Sequence, residues 1–310
     1  MSSYPDKPGA GVLIAGGSGL IGRYLTSLLL SRGYAVSHLS RKQDNFGRVR
    51  VYRWDPERGI ANSAYFEGSG YIINLSGANI GEKRWTPERK TEIVNSRTGT
   101  TKLLYKIVTE NNIKLKAYIS ASAVGYYGSA ANGKIFTETD PPGSDFLAET
   151  CRLWEETADR FEKTGIRTVK IRSGVVIEKN DSALSKLMMP ARFGFLVQTG
   201  NGRQYMPWIH ISDLCGIYLK AIEDQTLSGS FNGVAPSHIT HGDFVRILAR
   251  VLGKPVLPVP VPALFLRAAM GQMADVVLKG NRVSAEKIIK AGYKFTFPGA
   301  EEALKDVLAY

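Results

Sequence analysis

Gly16-Gly17-Ser18-Gly19-Leu20-Ile21-Gly22 decides the reading of this chain, because of what flanks it. Before it runs Val12-Leu13-Ile14-Ala15, an apolar stretch short enough to be a buried parallel strand. After it, Leu20, Ile21, Tyr24, Leu25, Leu28 and Leu29 recur at helical spacing, and Arg32-Gly33 supplies a stop. A glycine-rich turn between a strand and a helix lets backbone N–H groups approach a pyrophosphate at the positive helix end. Three glycines alone would also suit an ordinary strand-to-helix turn. The strand–turn–helix setting favours a dinucleotide.

Working outward, strand and helix signals alternate through the first 180 or so residues, the pattern of a doubly wound parallel sheet. Strands are expected at Ala35 to Leu39, Val49 to Trp54, Tyr71 to Leu75, Ala117 to Ala121 and Thr168 to Arg172. Thr86-Pro87-Glu88 offers a cap, a proline at the first helical position and an early acid, so a long helix begins there. Phe146 to Phe161 reads as another helix. From about Asn180 the rhythm changes. Ala183 to Phe193 looks helical, Ser212 is expected to cap a helix through Ile222, and Thr240 another running to Leu252. Pro255 to Pro262 alternates prolines with apolar residues and reads as an extended connector. The fold class is therefore α/β, a Rossmann-type sheet over residues 1–180 with a smaller, mostly helical substrate lobe over 181–310. Residues 229–234 are expected to return to the nucleotide domain.

The chain has 310 residues, enough for a full core, and no apolar run approaches the ~18 residues of a membrane span. The first eleven residues have no apolar stretch of signal type behind them, so secretion is not expected. Cys151 and Cys215 form no metal-binding spacing and suit a reducing cytoplasm. Forty basic against 28 acidic residues leave a net charge of +12. The basic residues are interleaved with acids, as in Glu82-Lys83-Arg84 and Glu88-Arg89-Lys90, and no zinc-finger or RNA-binding signature appears. Nucleic acid is not an expected partner. A positive field also suits a phosphate-bearing cofactor and an anionic small-molecule substrate.

An acid about 20 residues past the glycines selects NAD by bonding the adenosine ribose. Here the second strand ends in Leu39-Ser40-Arg41-Lys42, with no acid at its tip. Arg41 and Lys42 can pair with a 2′-phosphate and Ser40 can donate to it, which favours NADP(H). The plainer alternative is that Arg41 merely solvates a loop.

The chain resembles the extended short-chain dehydrogenase/reductase superfamily, and within it an atypical branch called epimerase family proteins. The resemblance rests on GGSGLIG at Gly16 to Gly22, LSRK at Leu39 to Lys42 and NLSGANI at Asn74 to Ile80. RWTPERKTEIVNSR at Arg84 to Arg97, SASAVGYYG at Ser120 to Gly128 and DFLAETCRLWE at Asp145 to Glu155 are more specific. RSGVV at Arg172 to Val176 and PWIHISDL at Pro207 to Leu214 complete it, and residues from about 258 to 306 look like the branch's own small C-terminal domain. The resemblance implies that Gly16, Gly19, Leu20 and Ile21 contact the pyrophosphate of NADP(H), and Ser40 and Arg41 its 2′-phosphate. It implies Leu75, Ser76 and Gly77 on the adenosine side, Glu92 and Arg97 near the cofactor's centre, and Val176 by the nicotinamide. For Glu92 and Arg97 an exposed helix salt pair is the alternative.

Superfamily members use Tyr-x-x-x-Lys with a Ser or Thr: the lysine lowers the tyrosine pKa, the tyrosine moves the proton, the hydroxyl orients substrate. Ser122 falls where that hydroxyl is expected. Counting back from Trp154-Glu155, the tyrosine and lysine slots hold Leu147 and Cys151, neither of which can do the job. Tyr126 is the expected substitute. A tyrosine with no cation beside it has a pKa near ~10 and is a poor base, so an Arg or Lys must approach in the fold or Tyr126 only binds substrate. Arg203 resembles the substrate-phosphate arginine of extended enzymes. His210 titrates in the useful range, with a structural hydrogen bond at the lobe junction as its alternative. Trp208, with Trp85, is a candidate apolar wall or a core residue. These residues leave two functions open: an NADP(H)-dependent oxidoreductase or epimerase-like enzyme acting on a nucleotide-sugar or other anionic carbonyl compound, or a non-catalytic NADP(H)-binding redox sensor. A monomer or homodimer is expected by analogy with the superfamily.

Overall fold

Val12, Leu13, Ile14 and Ala15 have no exposed surface, so the strand Gly11–Ala15 (β1) is covered on both faces, as a central parallel strand must be. The computed structural model describes residues 11–41, 47, 49–129, 133–179, 182–257 and 261–309. After β1 come Leu20–Ser31 (α1), Val36–Ser40 (β2), Arg50–Arg53 (β3), Ser69–Asn74 (β4), Pro87–Glu110 (α2) and Ala117–Ala123 (β5). Ile135–Phe136 (β6), Phe146–Glu162 (α3), Thr168–Ser173 (β7), Val175–Ile177 (β8) and Ser182–Met188 (α4) follow. Next are Trp208–His210 (β9), Ile211–Glu223 (α5), Gly229–Gly233 (β10) and His241–Leu252 (α6). The chain closes with Ala263–Met270 (α7), Ala274–Leu278 (α8), Arg282–Val283 (β11), Glu286–Lys290 (α9) and Ala300–Leu308 (α10).

Seven strands form one parallel sheet in the order β3-β2-β1-β4-β5-β7-β10. The order reverses between β1 and β4. A crevice opens at the carboxyl ends of strands flanking such a point, and ligands of doubly wound sheets bind there. Alternation along the strands splits the core in two. Val12, Ile14, Ile73 and Ile119 pack on one face against Leu25 and Leu29 of α1 and Ile217 and Tyr218 of α5. Leu13, Leu39, Ile72 and Tyr118 pack on the other against Leu104 and Ile107 of α2 and Phe161 of α3.

The second half of the chain differs from its expected outline in one respect. Helix α5 lies in the core shared with α1, and β10 extends the sheet beside β7. The apolar stripe Leu214, Cys215, Ile217, Tyr218, Ala221 and Ile222 is wholly buried, which the sheet's outer face can supply and a small lobe cannot. The cap of this helix is His210, whose side chain accepts from the Ser212 amide, and not Ser212 itself. Thr86 and Thr240 do cap α2 and α6. The remaining lobe is built on α6 and α10, with Phe244, Leu248, Leu304 and Trp208 at its centre. In the connector, Leu257 donates to Leu196 and Val261 to Gln198, so it runs extended beside residues 196–200, while Pro258 to Pro260 lie outside the described residues.

One buried carboxylate fastens the C-terminal segment to the sheet. Asp213 accepts from the Tyr293 hydroxyl at 3.1 Å and the amides of Thr296 at 2.8 Å and Phe297 at 2.9 Å. Asp213→Ala should leave these donors unsatisfied at a cost of order 3 kcal/mol. Urea denaturation would measure it, and a change below about 1 kcal/mol would show that water replaces the carboxylate.

Candidate functional site

The turn after β1 is built by steric necessity. Gly16 has φ +83°, and a Cβ there would sit 3.0 Å from the Leu75 carbonyl carbon. At Gly22 a Cβ would come within 2.6 Å of the Gly16 carbonyl oxygen, so only glycine lets α1 press this closely on the turn. Gly19 caps the helix without a side chain. The amides of the first turn, including Leu20 and Ile21, therefore have no intrahelical acceptor, and they stand just past the carboxyl end of β1. Beneath the turn lies a residue that sequence reasoning passed over. The imidazole of His38 would be 2.4 Å from a Cβ on Gly17, and its Nε2 pairs with the Thr26 hydroxyl at 2.7 Å. Thr26 in turn donates to the Gly22 carbonyl at 2.6 Å. A histidine inside an apolar strand was the available signal.

At the tip of β2, Ser40 is buried and Arg41 exposed. Lys42 lies outside the described residues. At the tip of β4, Asn74 donates to Thr101 and Tyr118 and accepts from the Ser76 amide. The loop beyond is tied to α2: Ala78 donates to Ser96, and Arg97 donates to the Ala78 carbonyl at 3.1 Å. A Cβ on Gly77 would meet the Arg97 guanidinium carbon at 3.0 Å. Burial lowers the Arg97 pKa, and the guanidinium also stacks on Trp154 at 5.1 Å. The alternative of a Glu92–Arg97 salt pair does not hold. Glu92 pairs with Arg89 at 2.6 Å, and the side-chain bonds of Arg97 go to the carbonyls of Ile93 and Ala78.

Below the end of β5 lies a buried polar network. Arg172 on β7 makes two 2.8 Å bonds to Glu155 on α3, and Ser122 donates to the same carboxylate at 2.6 Å. Burial alone would raise the Glu155 pKa, but the Arg172 bonds and charge hold it below the usual carboxylate range. The other edge of Arg172 bonds the Tyr127 hydroxyl at 3.0 Å, and its guanidinium carbon lies 3.5 Å from the centre of the Tyr126 ring. Arg172 is thus the cation beside the tyrosines that the sequence required but could not locate. Tyr127 also donates to Asn232 at 2.6 Å, and burial, against the pull of Arg172, pushes its pKa up to about 12. It stays a neutral phenol at physiological pH. Glu155 and Arg172 stood in recognisable motifs, as an acid and a base within apolar stretches, yet nothing in their spacing joined them.

Leu147 and Cys151 both face the turn that carries Tyr126: a Cβ on Gly125 would lie 3.4 Å from Leu147 and 3.8 Å from the Cys151 sulfur. Burial pushes the Cys151 thiol up to about 12, so it packs as a protonated thiol. Val176 is half-buried on β8, opposite Ile209 of β9. The three expected substrate contacts fall elsewhere. Trp208 has no exposed surface and packs with Ile177, Leu184 and Phe244 in the lobe core. His210 is 1% exposed, caps α5 through Nδ1 and lies 3.3 Å from Asp306 through Nε2. Burial, against the pull of Asp306, lowers its pKa, so the ring is neutral and structural. Arg203 is exposed on a turn held by Asn201, and none of its described contacts reaches Ser122 or Tyr126. A cavity of about 320 Å³ does adjoin Tyr127, walled also by Trp85, Phe146, Leu147, Gln272 and Val276.

The Glu155–Arg172 pair makes a stability prediction with a defined sign. Glu155→Gln leaves a buried guanidinium unpaired and should cost about 3–5 kcal/mol. Because the folded pKa of Glu155 is depressed, its contribution is full above the unfolded value near ~4.3 and fades as pH falls through the folded value. Denaturation across pH 7 to 3 should therefore bring wild type and variant together in acid. A constant gap would contradict the pairing.

The geometry has close counterparts. The NAD dependent epimerase/dehydratase family matches residues 12–232, and a domain of unknown function, DUF1731, matches residues 261–307. The mouse protein "Epimerase family protein SDR39U1" is 38% identical over 304 residues, covering 96% of this chain and 99% of that one. "Epimerase family protein YfhF" of Bacillus subtilis is 34% identical over 301 residues, covering 96% and 98%. A crystal structure of human SDR39U1 isoform 2 with NADPH superposes with a TM-score of 0.87 at 33% identity, covering 96% of this chain and 99% of that one. No helix among the described residues is long and apolar enough to cross a membrane.

Proposed function

Because this chain belongs to the NAD dependent epimerase/dehydratase family, we propose that it is an NADP(H)-dependent oxidoreductase of the extended short-chain dehydrogenase/reductase type. The observation that carries the cofactor assignment is the pairing of two features across one crevice. The glycine turn offers the unaccepted amides at the start of α1 to a pyrophosphate, and the β2 tip offers Ser40 and Arg41 with no acid among its described residues. The likeness to the human protein crystallised with NADPH supports the same reading. In it Gly16, Gly19, Leu20 and Ile21 hold the pyrophosphate, and Ser40 and Arg41 the 2′-phosphate. Leu75, Ser76 and Gly77 run along the adenosine side, Glu92 and Arg97 reach the central part, and Val176 meets the nicotinamide.

The bound cofactor supplies a hydride acceptor or donor. Everything else falls to the chain. Tyr126 is the group assigned to give or take the proton at the substrate oxygen, since Tyr127 is committed to Asn232 and Arg172. Ser122 works at one remove. Its hydroxyl is spent on Glu155, so it acts as a positioning residue that holds the Glu155–Arg172 pair and hence the guanidinium over Tyr126. A non-catalytic NADP(H) sensor is the second reading, favoured by one specific observation: the slots beside Tyr126 hold Leu147 and a protonated Cys151.

Replacing Ser40-Arg41 by Asp-Ser should weaken NADPH at least ~10-fold and improve NADH, read by fluorescence titration; unchanged affinities would defeat the NADP(H) assignment. Tyr126→Phe should cut turnover on an accepted carbonyl substrate by roughly 100-fold or more with NADPH affinity unaltered, the usual scale of general acid catalysis. Tight NADPH binding without turnover across a broad panel of carbonyl compounds and sugar nucleotides would instead support the sensor.

A further inference from the structure

We propose that the compound transformed at this site is an uncharged carbonyl compound with a flat apolar body, such as an aryl aldehyde or aryl ketone, seated in the cavity against Trp85 and Phe146. The proposal rests on the NADP(H)-dependent reading above and replaces the anionic substrate expected from net charge.

The cavity stands beside the turn that carries the assigned tyrosine. Leu147 is both a wall of the cavity and the neighbour of Gly125, 3.4 Å from where its Cβ would be, so the cavity adjoins the turn carrying Tyr126. Tyr127, next along the turn, is itself part of the wall, and Tyr126 stands directly behind it, ring centres 5.6 Å apart, without lining the cavity itself. Trp85 and Phe146 meet edge to face at 5.1 Å, and the indole N–H is already donated to the Ile80 carbonyl at 2.8 Å. What the pair presents is aromatic carbon, which attracts a flat ring. Leu147 and Val276 add aliphatic surface.

Charge at the wall disfavours an anion. The charged residues of the wall are two carboxylates, Asp145 and Asp275, and one ammonium, Lys279. Lys279 is paired with Asp275 at 3.1 Å, and Asp275 also faces Arg267 at 3.5 Å. Asp145 caps α3, accepting from the Ala148 amide at 2.9 Å. Among the described wall residues, a pyrophosphate placed here would meet like charge and no uncommitted cation. Arg84 and Lys90 approach the same elements, Arg84 against Gly271 and Lys90 over the Phe146 ring at 5.1 Å, but neither is part of the wall. Size agrees. About 320 Å³ is at the small end of ligand pockets and gives room for a ring bearing a carbonyl. Ser129, Ser144 and Gln272 supply neutral donors for an oxygen atom.

The reaction balances without any further reagent. The carbonyl carbon gains a C–H bond from the reduced nicotinamide, the C=O π pair moves to oxygen, and that oxygen takes the Tyr126 hydroxyl proton, which water replaces. An aldehyde is reduced to a primary alcohol while NADPH is oxidised to NADP⁺.

Calorimetry on the full chain saturated with NADPH tests this, using 4-nitrobenzyl alcohol, which is inert toward the reduced cofactor, and UDP-glucuronic acid as probes. The alcohol should bind at least tenfold more tightly than the sugar nucleotide. Trp85→Ala, and independently the cavity-filling Val276→Phe at a half-exposed position, should each weaken the alcohol at least tenfold and leave NADPH affinity unchanged. Equal or tighter binding of UDP-glucuronic acid, no heat from the alcohol, or indifference of both variants would overturn the proposal. NADPH affinity is measured first on the same samples, so failure there strikes the cofactor reading and is distinguishable from failure of the substrate class.

Discussion

The crevice exists because two backbones approach as closely as glycine permits. At Gly16 and Gly22 any side chain would crowd main-chain atoms, so β1 can hand the chain directly to α1 with the first helical amides left at the end of the strand. The strand order reversing beside β1 keeps that edge open. His38 and Thr26 brace the turn from below, and the loop after β4 closes it from the side through Gly77 and Arg97. An anion-binding surface of backbone dipoles needs this rigidity, because each amide contributes only a fraction of a charge.

A second constraint governs the reactive end. The superfamily's lysine places a cation beside its tyrosine from the same helix. Here α3 offers Leu147 and Cys151 instead, and the cation arrives from β7 as Arg172, neutralised in part by Glu155. A guanidinium held by two bonds to one carboxylate has a fixed plane, and Tyr126 stacks on that plane. The pair is expensive to bury and hard to break, which suits it to fixing geometry. The arrangement accounts for how a chain without Tyr-x-x-x-Lys can still hold a tyrosine and a cation together.

The parts of this molecule that were legible in the sequence are those written in local pattern. Val12 to Ala15, the glycines and the apolar stripe of α1 specify a strand, a turn and a helix within twenty residues, and the caps Thr86 and Thr240 act within three. The absent acid after Leu39 is likewise a local fact. What escaped depends on packing between distant segments. Ser122, Glu155, Arg172 and Asn232 span more than a hundred residues and meet only in the fold. Trp208 and His210 stood open between a site and a structural role because a motif says nothing about burial, and the C-terminal segment's anchor on Asp213 crosses some eighty residues. Helix α5 was assigned to the wrong neighbour for the same reason: its stripe announces a buried face but not which face covers it.

The central claim is that main-chain amides at the start of α1 and the guanidinium of Arg41 together hold a 2′-phosphorylated dinucleotide. Isothermal titration of the unmodified chain with NADPH and with NADH tests it most directly. The account requires saturable binding of NADPH at a stoichiometry of one per chain, clearly tighter than NADH. No heat from either nucleotide at saturating protein, or equal affinity for the two, would contradict it.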